Sequence, residues 1–177
     1  MRLSCLALAA LVPAALAAQT PARDTARAAT FAYRGFAPGM TYRDFAVRAQ
    51  ALARADTLHC DTSRRTAQIM DCGLRIRDPA DSARFYLSAN IIDYQTSIID
   101  FTDSGGTAIV ARAQKDLERR FGPVQRRAVG MWEWRQGRRK ARLNWRGRAN
   151  WRIVSITLID GDVLDRVAKY VPRKAKK

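Results

Sequence analysis

Residues 131–159 read MWEWRQGRRKARLNWRGRANWRIVSITLI, and apolar and polar residues alternate along three segments of this stretch. Alternation of this kind is typical of β-strands with one buried face. The triplets Gln136–Arg138 and Gly147–Ala149 contain glycine and favour tight turns between the segments. We therefore predict three consecutive strands of an antiparallel sheet, at Val129–Arg135, Lys140–Arg146 and Trp151–Ile159.

Strand periodicity sorts the side chains of this stretch onto two faces. One face of the middle strand carries the polar side chains of Lys140, Arg142, Asn144 and Arg146. The opposite face carries Ala141, Leu143 and Trp145. In the first strand, Trp132 and Trp134 likewise lie opposite Met131, Glu133 and Arg135. One interpretation is an amphipathic sheet with its tryptophans under helices and its arginines in water.

The second interpretation is a binding surface, because residues 131–152 combine four tryptophans with eight basic residues. Guanidinium groups make paired hydrogen bonds to carboxylate and phosphate groups, and aromatic rings stack on bases or sugars. We therefore expect recognition of an acidic protein or another anionic component of the cell envelope. The candidate binding residues are Trp132, Trp134, Arg138, Arg139, Lys140, Arg142, Trp145, Arg146, Arg148 and Arg152.

Positive charge is concentrated in the same half of the chain. The 177 residues include 32 Lys and Arg against 16 Asp and Glu, a formal net charge of +16. Residues 1–106 carry 12 basic and 10 acidic side chains, whereas residues 107–177 carry 20 and 6, a net +14. This imbalance favours an anionic partner, and nucleic acid is the second candidate.

Two helices precede the predicted strands. Thr41 and Asp44 are spaced as a capping box at the start of the first helix. The second helix begins near Thr107 and ends at Gly122, which is followed by proline. Between the helices, four further strands are predicted at Thr57–Asp61, Gln68–Ile76, Phe85–Ile92 and Thr96–Thr102.

These elements predict an α+β fold of two similar helix-plus-antiparallel-sheet units that share a core. The first unit spans residues 36–104, and the second, basic unit spans residues 105–161. The segment Asp103–Gly106 is predicted to interrupt the strands between them. The predicted core contains some of the tryptophans together with Phe45, Leu52, Val110, Leu117, Phe121 and Leu143.

The N-terminal sequence is typical of an exported protein. Met1 and Arg2 precede an uncharged segment, residues 3–18, that ends near an Ala-x-Ala cleavage site at Ala15–Ala17. We predict a signal peptide at residues 1–18, a flexible leader at 19–35 and a basic C-terminal tail at 162–177. The mature protein would be periplasmic or extracellular, with no transmembrane segment after cleavage.

Signal-peptide removal leaves two cysteines, Cys60 and Cys72. In an oxidising compartment two cysteines usually pair, and here a disulfide would join two neighbouring strands. A metal site that adds His59, Asp61 and Asp71 is the alternative, but it lacks the ligand spacing of known zinc motifs.

Sequence motifs of common enzymes are absent. The chain has no G-x-S-x-G, no H-E-x-x-H and no P-loop. A small basic nuclease is the enzymatic alternative, and its acid–base pair would have to come from His59, Glu118 and Glu133. We expect a non-enzymatic protein without catalytic residues, metal or cofactor.

Short motifs resemble the SmpA/OmlA (BamE-like) envelope domains. Gly39-Met40-Thr41 with Asp44 is similar to the G-M-T-x-x-[DE] helix opening of these domains, and Phe121-Gly122-Pro123 is similar to their L-G-x-P helix end. Trp132-Glu133-Trp134 is similar to their W-x-[WY] strand. The tandem arrangement resembles the β-lactamase-inhibitor-protein-like fold. This resemblance implies a non-enzymatic module that binds protein surfaces, although the chain lacks the lipobox of the lipoprotein members.

Overall fold

A computed structural model describes residues 31–53, 55–80 and 82–170. Helices α1, α2 and α3 span Tyr42–Leu52, Ala108–Phe121 and Gly161–Asp165, and a 3-10 turn spans Arg166–Lys169. Strands β1 to β8 span His59–Ser63, Thr66–Arg77, Arg84–Ile92, Gln95–Gly106, Arg126–Ala128, Met131–Gln136, Arg139–Arg146 and Trp151–Asp160. All seven predicted strands are present, and β5 is an additional short strand.

The strands of the described residues form one continuous antiparallel sheet in the order β1-β2-β3-β4-β8-β7-β6-β5. The α+β class is confirmed, but the predicted division into two helix-plus-sheet units is wrong. The reason lies at Asp103–Gly106, which continues β4 instead of interrupting it and pairs with β8 up to Trp151. Hydrogen bonding to a neighbouring strand outweighs the low strand propensity of glycine and serine here.

One face of the sheet, termed the covered face, packs against helices α1 and α2. Helix α1 contacts β2 and β4, whereas α2 contacts β4, β7 and β8. A row of apolar register partners crosses the sheet beneath them: Leu74, Leu87, Phe101, Ile156, Leu143 and Trp132. Burial of each large apolar side chain contributes about 1.5–3 kcal/mol, so this row is a main source of stability.

Both helices begin and end largely as predicted. The backbone N–H of Asp44 donates to the Thr41 hydroxyl at 3.1 Å, and that hydroxyl donates to the Asp44 carboxylate at 2.7 Å. Helix α2 ends at Gly122, whose φ of 82° is readily adopted only without a Cβ. Of the predicted core, Phe45, Leu117 and Leu143 are buried, whereas Leu52, Val110 and Phe121 pack at its margin.

The described end of the predicted leader packs into the core. Phe31 and Tyr33 are both buried. The ring of Phe31 lies 4.7 Å from that of Phe121, and the ring of Tyr33 meets that of Phe101 edge-on at 5.1 Å. Residues 31–35 therefore belong to the fold, while the signal-peptide prediction at 1–18 lies outside the described residues.

The predicted disulfide between Cys60 and Cys72 is present. The two cysteines are direct register partners of β1 and β2. A covalent link across a loop of this size stabilises the fold by about 3 kcal/mol in the chain-entropy treatment.

Among the described residues, α3 and the 3-10 turn cover the second face of the sheet at one end. Val163 of α3 packs there with Ile69 and Ile92, and Tyr170 donates its hydroxyl hydrogen to Asp93. Among the described residues, no helix has the length and apolar character needed to cross a membrane.

Candidate anion-binding face

The sheet face opposite α1 and α2, termed the open face, is polar. Strand alternation places on it the side chains that lie between the buried residues of the covered face. These are Arg75 and Arg77 of β2, Arg84 and Tyr86 of β3, Asp100 and Thr102 of β4, Ser155 and Thr157 of β8, Lys140, Arg142, Asn144 and Arg146 of β7, and Glu133 and Arg135 of β6. The predicted two-faced pattern of β7 is thereby confirmed.

The four tryptophans occupy three different environments. Trp134 is fully buried on the covered face and donates its indole N–H to the Gly122 carbonyl at 2.9 Å. Trp132 and Trp145 are half-buried on the same face, with ring centroids 4.7 Å apart. Trp151, at the start of β8, is 57% exposed. The aromatic part of a binding site is therefore reduced to Trp151, which was not among the predicted binding residues.

Three of the predicted binding arginines are held by carboxylates. Arg138 contacts Asp162 at 2.6 Å and also pairs with Asp165, which ties the β6–β7 turn to helix α3. Arg139 donates to Asp160 at 3.2 Å. Arg142 pairs with Glu133 of the neighbouring strand. These ion pairs give Arg138, Arg139 and Arg142 a positioning role in the fold.

Glu133 is the most enclosed charged group of the open face. Its side chain has no exposed surface and accepts hydrogen bonds from Arg135 and Arg142. Burial raises the pKa of the Glu133 carboxyl. The hydrogen bonds and charges of Arg142 and Arg135 lower this pKa by more than burial raises it, so the net pKa lies below its usual value. The carboxylate therefore stays charged and holds two guanidinium groups on the sheet surface.

The other predicted basic residues divide by their contacts. Arg152 donates to the backbone carbonyls of Ala149 and Trp151 at 2.8 and 2.9 Å. Within the described part of the chain, no hydrogen bond or ion pair engages the side chains of Lys140, Arg146 and Arg148. Lys140 and Arg146 project from β7 on the open face, and Arg148 lies in the following turn. These three remain available to an anionic partner.

The centre of the open face carries a carboxylate surrounded by hydroxyls. Asp100 accepts hydrogen bonds from Thr102 at 2.7 Å, from Thr157 at 2.6 Å and from Ser155. Asp100 lies on β4, between the basic residues of β7 and those of β2 and β3, and among the described residues it pairs with neither group.

Three arginines of the first half also line the open face, and the net charge of that half gave no indication of them. Arg75, Arg77 and Arg84 border a depression of about 750 Å³, which adjoins a second depression of about 360 Å³ lined by Asn144 and Arg146. The alternation of Arg75 and Arg77 with the buried Leu74 and Ile76 was the available signal. Ten acidic residues elsewhere in residues 1–106 conceal these arginines in the net charge.

A larger groove, of about 1110 Å³, lies on the covered face beside α2. The buried Tyr33 borders it, and desolvation raises the pKa of its hydroxyl to about 12 despite hydrogen bonding to Arg34. Arg34 in turn pairs with Asp78, and Arg119 pairs with Asp116 at 3.1 Å. The charges at the margin of this groove are thus partly neutralised within the protein.

The residues considered for acid–base chemistry are far apart. His59 lies on edge strand β1, is 80% exposed and contacts Asp61 at 3.2 Å. Glu133 lies on β6, six strand positions away, which corresponds to roughly 29 Å at ~4.8 Å per strand. Glu118 lies on α2 and accepts from Gln114. The described residues hold no group of three metal-ligating side chains, and the disulfide consumes both cysteines of the alternative metal site.

In comparisons with known proteins, no protein-family model, curated protein or solved structure matches this chain. The resemblance to SmpA/OmlA domains therefore stays a prediction based on short motifs.

Proposed function

We propose that the protein is an exported, non-enzymatic binding module of the cell envelope that recognises an acidic protein surface. The open face of β6, β7 and β8 is the contact surface in this proposal. The observation that carries it is the pair Lys140 and Arg146, two basic side chains of one strand face that have no partner among the described residues. Unpaired cations on a sheet face suit carboxylates, and they also accelerate association with an acidic partner.

Glu133 supports the proposal because it organises the neighbouring cations. By holding Arg135 and Arg142 on the sheet surface, it leaves their remaining N–H groups in fixed positions near Lys140, the register partner of Arg135. A pre-positioned donor loses less side-chain entropy on binding than a flexible one. Export to the periplasm or beyond rests on the N-terminal sequence and makes envelope proteins the partners expected first.

The test is binding of fluorescently labelled poly-L-glutamate to the purified protein at fixed ionic strength. The double variant Lys140→Glu, Arg146→Glu should bind at least about tenfold more weakly, because it places two negative charges in the contact surface. The matched control is Arg43→Glu, Arg112→Glu, two exposed residues of α1 and α2. The control variant changes the net charge by the same amount. Its affinity for poly-L-glutamate should stay within about threefold of that of the unaltered protein, since charges that lie more than the ~8 Å Debye length from the contact surface are screened.

Nucleic acid is the second candidate partner, and the exposed ring of Trp151 favours it as a stacking surface. An oligonucleotide that binds more tightly than poly-L-glutamate at equal ionic strength, and loses affinity on Trp151→Ala, would replace the acidic protein in this proposal. Cleavage of that oligonucleotide, abolished by His59→Ala, would contradict the non-enzymatic assignment.

A further inference from the structure

A second basic cluster of the open face, termed the basic corner, lies on strands from the first half of the chain. Arg77 of β2 and Arg84 of β3 are direct register partners, and Arg75 is the register partner of Tyr86. Together with Ser104 these residues line the depression of about 750 Å³. The corner thus brings three guanidinium groups and the Ser104 hydroxyl to one concave surface, and strands β4 and β8 lie between Arg84 and Arg146.

Arg77 differs from the other half-buried arginines because no hydrogen bond or ion pair engages its side chain among the described residues. The described chain has six half-buried arginines: Arg34, Arg77, Arg139, Arg142, Arg152 and Arg166. Five of them donate to a carboxylate, an amide or a backbone carbonyl. The Nε of Arg77 is buried and finds no acceptor among the described residues. A buried donor without an acceptor is unfavourable, so an acceptor from outside the protein would stabilise this position.

The surroundings add a second unfavourable interaction that an anion would remove. Like charges that face each other across a strand pair repel, and Arg77 faces Arg84. Asp56 also borders the depression, and its oxygens already accept from the backbone N–H groups of Thr57 and Arg75. Asp103 borders this depression as well as the groove beside α2, and its carboxylate accepts from the backbone N–H of Ser104. Among the described residues, neither Arg77 nor Arg84 forms an ion pair with a carboxylate.

We propose that Arg77 and Arg84 form a binding site for a tetrahedral oxyanion of the phosphate class, either free phosphate or a phosphate monoester. A dianion matches the two unpaired charges, and a guanidinium can donate two parallel hydrogen bonds to phosphate oxygens. The hydroxyl of Ser104 supplies a further donor, and the half-exposed ring of Tyr86 supplies an apolar wall for the ester group. This site is independent of the acidic-partner surface on β7.

The probe is inorganic phosphate, measured by calorimetry and by thermal unfolding in a phosphate-free buffer with ionic strength held constant by sodium chloride. We expect saturable binding with a Kd on the order of 1 mM or tighter and a melting temperature that rises with phosphate. Acetate should cause no comparable rise. Phenyl phosphate that binds more tightly than inorganic phosphate indicates a monoester ligand, whereas equal affinity indicates free phosphate.

Arg77→Gln should weaken phosphate binding by at least about tenfold, because it removes the central guanidinium. The same variant should fold with unchanged or higher stability when phosphate is absent, since it also removes the unpaired charge. Arg64→Gln, in the exposed β1–β2 turn, is the control and should bind phosphate normally.

Equal stabilisation by acetate and by phosphate, or unaltered phosphate affinity in Arg77→Gln, would overturn the proposed site. Lys140→Glu, Arg146→Glu should bind phosphate normally, so that failure of one site is distinguishable from failure of the other.

Discussion

Replacement of Glu133 by glutamine should destabilise the protein by about 2 kcal/mol. Glutamine is neutral, so both guanidinium groups lose their counter-charge, and its NH2 group cannot accept the hydrogen bond that one carboxylate oxygen now accepts. Breaking a fully buried ion pair costs about 3–5 kcal/mol, but Arg135 and Arg142 are 45% and 36% exposed. Water compensates part of the loss, and we therefore expect the smaller value.

The assay is urea unfolding at pH 7, followed by thermal unfolding. A loss of about 2 kcal/mol corresponds to a melting temperature lower by roughly 4–8 °C in a chain of this size. Glu118→Gln is a matched control, because Glu118 is the other glutamate of the sequence. It lies on α2 and accepts a single hydrogen bond from Gln114. It should change the free energy of unfolding by less than about 0.5 kcal/mol.

The pH dependence gives the same prediction an independent check. The folded-state pKa of Glu133 lies below its unfolded value of about 4.5, so the carboxylate contributes its full stabilisation above that value. The contribution disappears as the pH falls through the lower, folded-state pKa. The difference between the unaltered protein and Glu133→Gln should thus be constant near neutral pH and shrink below about pH 4.5. A Glu133→Gln protein as stable as the unaltered one at pH 7, or a difference that persists at low pH, refutes the buried ion-pair network.

Two further predictions concern the disulfide and the tryptophans. Replacement of both Cys60 and Cys72 by serine should lower the free energy of unfolding by about 3 kcal/mol in urea unfolding, and a loss below about 1 kcal/mol would contradict a structural role for the bridge. Trp134→Phe should lower the free energy of unfolding by about 1–3 kcal/mol, because it removes a buried indole and leaves the Gly122 carbonyl without its hydrogen-bond donor. Trp151→Phe should change the free energy of unfolding by less than about 0.5 kcal/mol. Equal losses in the two variants would contradict the assigned burial.

Periodicity was sufficient to predict the strands but not their arrangement in one sheet. The alternation in β7 placed Lys140 and Arg146 on the correct face, because side-chain direction in a strand depends only on position parity. The pairing of β4 with β8 depends on backbone hydrogen bonds between distant segments, and Asp103–Gly106 carries a composition typical of turns. The prediction of a boundary between two units was therefore wrong at Asp103–Gly106.

The candidate site was predicted only in part, because contacts between distant segments decide which of its side chains are free to bind. Arginine-rich composition identified the strands, but the acids that neutralise Arg138 and Arg139 come from α3 and the end of β8, whose positions periodicity does not give. Burial of Trp134 likewise depends on the end of α2 lying above it. Arg77 was missed because net charge sums over a segment, while an unpaired arginine is a property of one position.

The most direct test of the central claim is a chemical-shift map of the isotope-labelled protein titrated with hexaglutamate. If the open face is the contact surface, the largest changes will fall on backbone amides of β7 and on the Arg146 side chain, and the exposed Arg43 and Arg112 of the helices will change little. Changes spread equally over the exposed arginines of both faces would reduce the interaction to net charge and contradict a specific binding surface.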